Sequence, residues 1–186
     1  MPPKIKVTRE DILRAAIDGV RKNGEESLNA RTIAERLGVS TQPVFSNFAD
    51  MKELRSAVIK EAERLSEKYI EEEIASGKYP PYKASGMAYI RFAKEERELF
   101  KLLYMRSREC EDIPESTALG DKMNSLVNKN TGLLGDSMRL FHLEMWAYVH
   151  GIATMMATGY LELDWEIISR SLTDVYQGLK GQCEVK

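Results

Sequence analysis

The sequence predicts an all-α protein, and three observations support this fold class. Apolar residues recur at spacings of three and four through most of the chain, as on one face of a helix, whereas strand-like alternation is scarce. The chain has 186 residues, of which 43% are hydrophobic, so it can bury the core of one or two small domains. Helix-capping residues and glycines recur at short intervals in its N-terminal part, which predicts several short helices there.

The first two predicted helices have recognisable ends. Thr8 is expected to cap the first helix, with Asp11 in the acidic position of a capping box, and Gly24 is expected to end it. Asn29 is expected to cap the second helix, which stops at Gly38. Both helices carry an apolar stripe between these ends, so each can bury one face.

The third predicted helix is short, and the fourth is long. Ser40 is expected to cap the third helix, which reaches about Phe48. Pro43 then falls at the third helical position, where its missing N–H has no partner within the helix to lose. Asp50 is expected to cap the fourth helix, which ends at about Gly77.

The remainder of the chain is also predicted to be helical. Helices are expected over residues 82–95, 97–108, 116–130, 134–160 and 164–180, with a polar loop around Cys110 to Pro114. We expect two domains, residues 1–52 and residues 53–186, with the fourth helix serving both.

Composition excludes several classes of protein. No run of about 18 apolar residues is present to span a bilayer, and the first residues lack a signal-peptide core, so we expect a cytoplasmic protein without a membrane partner. Cys110 and Cys183 have no metal-ligand spacing. His142 and His150 lack the Cys, Asp or Glu partners of a metal set, so we expect neither a metal nor a cofactor.

Charge is distributed unevenly along the chain. The formal net charge is −2, but residues 1–60 contain 11 basic and 8 acidic residues, whereas the remaining residues contain 16 and 21. A basic N-terminal part is compatible with a polyanionic partner, although a difference this small is weak evidence.

The stretch GVSTQPVFSNF, residues 38–48, joins the second and third helices in a helix-turn-helix pattern. Val44, Phe45 and Phe48 are expected to anchor the third helix, which is too short to be stable alone. Polar Thr41, Gln42, Ser46 and Asn47 have no evident internal role, and such side chains can bond base edges or phosphates. Taken alone, the pattern is equally compatible with a solvated surface helix.

The run LNARTIAERLGVSTQPVFSNFADMKELRSAVI resembles the N-terminal domain of the TetR (tetracycline-repressor-like) family of transcriptional regulators. The shared features are the Thr-Ile-Ala start of helix two, the Gly-Val-Ser turn, the aromatic end of helix three and the Lys-Glu-Leu start of helix four. The resemblance implies a DNA-binding domain that contacts double-stranded operator DNA. The residues it places at the DNA are Arg31, Thr32, Thr41, Gln42, Pro43, Phe45, Ser46, Asn47 and Lys52.

Two departures from the family pattern affect this assignment. The family usually has a tyrosine where this chain has Phe45, and a phenylalanine cannot donate a hydrogen bond to a phosphate. A basic residue or histidine near Ser46 is also common in the family and is missing here. Phosphate neutralisation is therefore expected from Lys4, Lys6 and Arg9 together with Arg31 and Lys52, with a shallow salt dependence.

The C-terminal part resembles a TetR subgroup through SGMAYIRFAKEERELFKLLYM and through WAYVHGI, which matches a Trp…His-Gly (WHG) signature. This resemblance implies a helical ligand-binding and dimerisation domain. Small residues at helical spacing and the apolar side of the last helix are expected to form the homodimer interface: Ala147, Gly151, Thr154, Thr158, Ile168, Leu172 and Val175.

Aromatic and methionine residues are frequent in the middle helices. Most of them should belong to the core, but methionine adapts to flexible apolar ligands, so we expect part of the set to line a pocket for a small-molecule effector. The candidates are Tyr89, Phe92, Phe100, Tyr104, Met105, Met123, Met145 and Trp146.

Together these features predict a ligand-responsive, dimeric regulator of transcription. We expect a repressor that an effector releases from a pseudo-palindromic operator, with helix four as the lever. An enzyme is not expected, because no phosphate-binding loop, catalytic triad or metal set is present. A helical dimeric interaction module that has lost DNA binding remains the alternative.

Overall fold

The computed structural model describes residues 7–105 and 118–184, and over these residues the chain forms α-helices and no strand. The all-α prediction is therefore confirmed. The helices are α1 (Arg9–Asn23), α2 (Ala30–Leu37), α3 (Gln42–Asn47), α4 (Met51–Ala75), α5 (Pro81–Glu95), α6 (Arg97–Tyr104), α7 (Ala118–Thr131), α8 (Gly135–Thr158) and α9 (Trp165–Glu184). A single 3₁₀ turn that the sequence did not predict, Glu25–Ser27, follows α1.

The chain divides into two compact units. The first contains the described residues 7–65 and 96–105, and the second contains residues 66–95 and 118–184. These units do not coincide with the expected division between residues 52 and 53. The first half of α4 packs with the N-terminal helices through Leu54 and Val58, and the chain returns to the first unit for α6.

The capping residues predicted for α1 and α2 are found in the structure. The Asp11 N–H donates to the Thr8 hydroxyl at 3.1 Å, and the Thr8 N–H donates back to the Asp11 carboxylate at 3.0 Å. Asn29 accepts from the Thr32 N–H at 2.9 Å. Gly38 ends α2 in the left-handed region at φ 68°, which a side chain rarely adopts.

The start of α3 differs from the expectation. Thr41 is its N-cap rather than Ser40, so Pro43 occupies the second helical position and not the third. No side chain caps this terminus: neither the Ser40 hydroxyl nor the Thr41 hydroxyl accepts a hydrogen bond from a backbone N–H of the first turn. The proline is still accommodated without losing a hydrogen bond, since the first N–H groups of a helix have no partner within it.

Helix α6 is shorter than expected and belongs to the first unit. It ends at Tyr104, with Met105 as its C-cap, whereas the sequence predicted a helix to residue 108. The Arg21 guanidinium donates two hydrogen bonds of 2.8 Å to the Glu96 carboxylate, which joins α1 to the start of α6. The expected loop of residues 110–114 lies outside the described residues.

The second unit is built on the packing of α5 against α8, with α7 and α9 alongside. Gly86 permits this packing, because a Cβ there would lie 3.1 Å from the Leu172 side chain and 3.4 Å from that of Val149. An aromatic cluster closes one end of the unit, where the Tyr82 hydroxyl contacts His142 Nδ1 at 3.1 Å. None of the helices in the described ranges is long and apolar enough to cross a membrane.

Candidate nucleic-acid interface and dimer face

Helix α3 has one buried side and one solvent-facing side. Val44 and Phe48 are 1% and 2% exposed and anchor the helix in the first unit. Thr41, Gln42 and Ser46 are exposed, as expected for residues without an internal role, whereas Asn47 is half-buried. The expectation that Phe45 is a third anchor was wrong, because its side chain is 52% exposed. The exposed surface of α3 is therefore polar apart from this one large apolar side chain.

Two of the predicted DNA contacts are engaged within α3 itself. The Ser46 hydroxyl donates to the Gln42 carbonyl at 2.9 Å, and the Asn47 amide donates to the Pro43 carbonyl at 2.8 Å. A bidentate contact from an amide to adenine needs both its nitrogen and its oxygen. Asn47 is consequently less available to a base than the sequence suggested, whereas Gln42 extends from the first turn toward solvent.

Arg9 holds α3 in place. Its guanidinium donates to the Asn47 carbonyl oxygen at 2.5 Å and to the Glu53 carboxylate at 2.8 Å, and its Cζ lies 3.9 Å from the centre of the Phe48 ring. One side chain of α1 thus contacts the end of α3 and the first turn of α4. Arg9 was expected to neutralise phosphate; its guanidinium contacts α3 and α4 in the structure, and a phosphate contact stays a prediction.

The electrostatics at the start of α4 are mixed. Lys52 is exposed, and within the described part of the chain no ion pair engages it. Asp50 accepts from the Glu53 N–H at 2.8 Å, so one carboxylate already caps this terminus. The Ala49 N–H, and to a smaller extent Arg9, lower the pKa of Glu53 below its ordinary value, so this carboxylate is charged as well.

The start of α2 offers one further cation. The Arg31 side chain is 87% exposed, and its Nε donates to Glu35 at 3.0 Å. An exposed pair of this kind is weak and exchanges readily for a phosphate. Thr32 is half-buried beside it, and Lys4 and Lys6 lie outside the described residues.

Helix α8 carries an apolar surface opposite its buried side. Leu140, Leu143 and Trp146 are exposed there, and Ala147 and Gly151 continue the same side of the helix. Between α8 and α9 lies an open groove of about 340 Å³. Its lining residues are Ala147, Tyr148, Gly151, Ile152, Met155, Leu163, Ile167 and Ser171.

The structure changes the set of residues that a partner subunit could contact. Ile168 and Leu172 were expected at the interface, but they are 0% and 2% exposed because they pack inside their own unit. The neighbouring Ile167 is the exposed apolar residue of α9 instead. Thr158 is exposed, whereas Thr154 and Val175 are half-buried; the assignment of these residues and of Ala147 and Gly151 to an interface stays a prediction.

The candidate effector residues are divided between the two units. Phe100, Tyr104 and Met105 belong to the first unit, and Tyr89, Phe92, Met123, Met145 and Trp146 belong to the second. Phe92 and Phe100 are fully buried. In the second unit, Tyr89 and Trp146 both contact His150, so the three side chains form a polar-aromatic site. Contact of an effector with this site stays a prediction.

The signature histidine has a structural environment. His150 Nδ1 lies 3.0 Å from the Tyr89 hydroxyl, Nε2 lies 3.5 Å from the Thr154 hydroxyl, and the Trp146 ring stacks on the imidazole at 5.0 Å. Burial lowers the pKa of both His150 and His142 below the ordinary value, which favours the neutral ring. In the two described ranges, no group of three potential ligands is placed to hold a metal ion.

The chain matches known proteins along most of its length. Residues 82–176 match the family model described as "Tetracyclin repressor-like, C-terminal domain", which covers half of the chain. The chain therefore belongs to the TetR family of transcriptional regulators. Among curated proteins, no sequence is similar enough to this chain to count as a match.

Solved structures share the fold at low sequence identity. A TetR-like transcriptional regulator from Rhodococcus sp. RHA1 is 15% identical over 100% of this chain and 98% of its own, with a TM-score of 0.67. A TetR-family member from Streptomyces coelicolor A3 is 18% identical over 90% and 96%, with a TM-score of 0.62. The multidrug binding protein EbrR, complexed with imidazole, is 18% identical over 90% and 88%, with a TM-score of 0.57.

Proposed function

We propose that this protein is a dimeric, sequence-specific DNA-binding regulator of transcription, and that it acts as a repressor released by a small-molecule effector. The observation that carries the proposal is the exposed polar surface of α3. Arg9 fixes this helix by bonding the Asn47 carbonyl at its end and the Glu53 carboxylate of α4. A short helix presented in this way fits the major groove of B-DNA.

The roles of individual residues follow from their exposure and partners. Gln42 is exposed in the first turn of α3 and is assigned to a base edge, with Thr41 beside it. Lys52 and Arg31 are assigned to phosphates, which position the protein without reading sequence. The rim of the proposed contact with DNA is assigned to Thr32, Pro43, Ser46 and Asn47.

Dimerisation is supported by the exposed apolar side of α8. Leu140 and Leu143 of α8 and Ile167 of α9 are each more than half exposed, and large exposed apolar patches mark interaction surfaces. Gly151 lets two helices approach closely, and a two-fold pair of α8 and α9 forms a four-helix interface. Such a dimer requires an operator with pseudo-palindromic half-sites.

Regulation by a ligand is supported by the family and by one relative. EbrR is described as a multidrug binding protein and was solved with imidazole, and it shares the fold of this chain. The second unit offers Tyr89, His150 and Trp146 as polar-aromatic contacts. An effector that binds one conformation of this unit preferentially shifts the population away from the DNA-binding form, with α4 as the element common to both units.

The proposal is tested by fluorescence anisotropy with duplexes from the promoter region of the protein's own gene. We expect specific, salt-sensitive binding by the wild-type protein. Gln42→Ala should relax sequence preference, whereas Lys52→Ala should weaken all sequences similarly and reduce the salt slope by about 1. Lys60→Ala, which removes the same charge farther along α4, is the matched control and should leave binding unchanged.

The alternative is a helical dimeric interaction module that has lost DNA binding. The ion pair of Arg9 with Glu53 favours it, because it offsets part of the positive charge near α3, and the exposed Phe45 favours it, because its ring cannot donate a hydrogen bond to a phosphate. If the protein binds none of the duplexes specifically, the result supports this alternative. Thermal stability measured against a panel of metabolites tests the effector in either case, because a ligand of the folded state raises the melting temperature.

A further inference from the structure

We propose that Phe45 reads the 5-methyl group of a pyrimidine in the major groove, so that the protein prefers thymine at one position of each half-site. The inference rests on the proposed function, because it assigns a base contact to the proposed DNA-binding surface. It concerns a specificity-determining residue that replaces, in this chain, the tyrosine usual in the family.

The exposure of Phe45 has no structural explanation within the described part of the first unit. The aromatic ring is 52% exposed, whereas the neighbouring apolar residues Val44 and Phe48 are almost completely buried. Since the latter two anchor the helix, Phe45 is not needed for that purpose. It lies three residues after Gln42 and four after Thr41, so the three side chains are neighbours on the solvent side of α3.

The rest of α3 has limited capacity to read bases. The Ser46 hydroxyl and the Asn47 amide both donate to backbone carbonyls of their own helix, and α3 contains no charged side chain. Gln42 and Thr41 therefore supply the available hydrogen-bonding groups. An apolar ring next to them adds a contact of a different kind, one that distinguishes bases by shape and polarity.

Thymine is the base whose edge fits this ring. Its C5-methyl group is the apolar feature of the major groove, and phenylalanine is among the side chains that contact it. Uracil and cytosine lack this methyl group, so they leave the ring facing water or a polar edge. A phosphate is a poor alternative partner, because the ring has no hydrogen-bond donor.

The test removes one methyl group at a time. The probe is a labelled duplex carrying the tightest site that the full-length protein selects from a random pool, and each thymine is replaced in turn by deoxyuridine. At one position per half-site we expect wild-type binding to weaken about fourfold, the value of one buried methyl group, and about 15-fold when both half-sites are changed. At that position 5-methylcytosine should bind more tightly than cytosine.

Phe45→Ala links the effect to the residue. This variant should bind the thymine and deoxyuridine duplexes equally, and Phe45→Tyr should keep the wild-type discrimination because it keeps the ring. Lys52→Ala is the control that weakens binding while retaining the methyl preference. Wild-type indifference to every deoxyuridine, or equal discrimination by wild type and Phe45→Ala, overturns the inference; failure to select any specific duplex would instead refute the proposed function.

Discussion

At the scale of single residues, Arg9 has the largest predicted effect on the candidate DNA surface. It contacts the Asn47 carbonyl, the Glu53 carboxylate and the Phe48 ring at once. Because the ion pair is about half exposed, we expect Arg9→Ala to lower the free energy of unfolding by only about 1–2 kcal/mol, from the cation–π contact and the hydrogen bonds together. Urea denaturation measures this change.

The same variant should weaken DNA binding without altering base preference, since Arg9 orients α3 and does not read bases. Arg14→Ala is the control, because Arg14 is an exposed arginine on the same helix. If Arg9→Ala and Arg14→Ala lower the free energy of unfolding by the same amount, the positioning role of Arg9 is wrong. The loss is then explained by the removal of a positive charge from α1.

Residue roles were predictable where the partner is close in sequence. Thr8, Asn29 and Asp50 were recognised as caps because each bonds an N–H three residues away. The role of Arg9 was not predictable, since its partners lie 38 and 44 positions further along the chain. For a related reason the hydrogen bond from the Asn47 amide to the Pro43 carbonyl was not predicted, because spacing does not reveal whether an amide bonds its own helix; a contact of Asn47 with DNA stays a prediction.

At the scale of elements, the exposed side of α8 leads to a prediction at Gly151. Alanine in place of a glycine within a helix gains about 1 kcal/mol, and a Cβ at Gly151 meets no atom within 4 Å in the single chain. In a close helix pair, however, the added methyl group separates the two backbones. We therefore expect Gly151→Ala to weaken dimerisation roughly tenfold while the single chain becomes no less stable.

Sedimentation equilibrium measures the dimer dissociation constant directly. Ser56→Ala is the control, because it improves helix propensity at an exposed position of α4 that belongs to the first unit, whereas α8 belongs to the second. Unchanged dimerisation of Gly151→Ala would show that Gly151 lies outside the interface. A wild-type monomer at micromolar concentration would reject the dimer itself.

Helix boundaries were predicted well where polar caps or glycines mark them and less well elsewhere. Both ends of α1 and α2 were correct, since Thr8, Asn29 and Gly38 are strong local signals. The start of α3 was one residue too early, because Ser40 and Thr41 are both acceptable capping residues and only the backbone distinguishes them. The C-terminal helices were found from periodicity alone.

At the scale of the whole molecule, the grouping of helices was not predictable from the sequence. Helix α6 has the same apolar periodicity as its neighbours, yet it joins the first unit, where Arg21 bonds Glu96 across 75 positions of sequence. The predicted effector set therefore combined residues of two separate units. Such long-range pairings depend on the complementarity of surfaces, which helical periodicity does not encode.

Stability of the molecule should fall as the solution is acidified from neutral pH. Burial lowers the pKa of His142 and His150, so the unfolded chain takes up a proton below about pH 6.5 before the folded chain does. The contribution of both rings is therefore complete above that pH and is lost as pH falls toward the folded pKa values. Protonation also leaves each imidazole without an acceptor for the nearby phenol, at Tyr82 and at Tyr89, and burial raises the pKa of Tyr82, so this phenol stays protonated over the same range.

Thermal denaturation between about pH 5 and pH 7.5 tests this prediction, in the range where histidine titrates. The wild-type melting temperature should decrease toward the acidic end, and the double variant His142→Gln, His150→Gln should show a smaller decrease. Glutamine keeps a hydrogen-bonding group but does not titrate, so the difference between the two slopes isolates the histidines from the acidic groups. Equal slopes would assign the acid sensitivity to carboxylates such as Glu53, whose pKa is also lowered in the folded chain and whose contribution is lost at a lower pH.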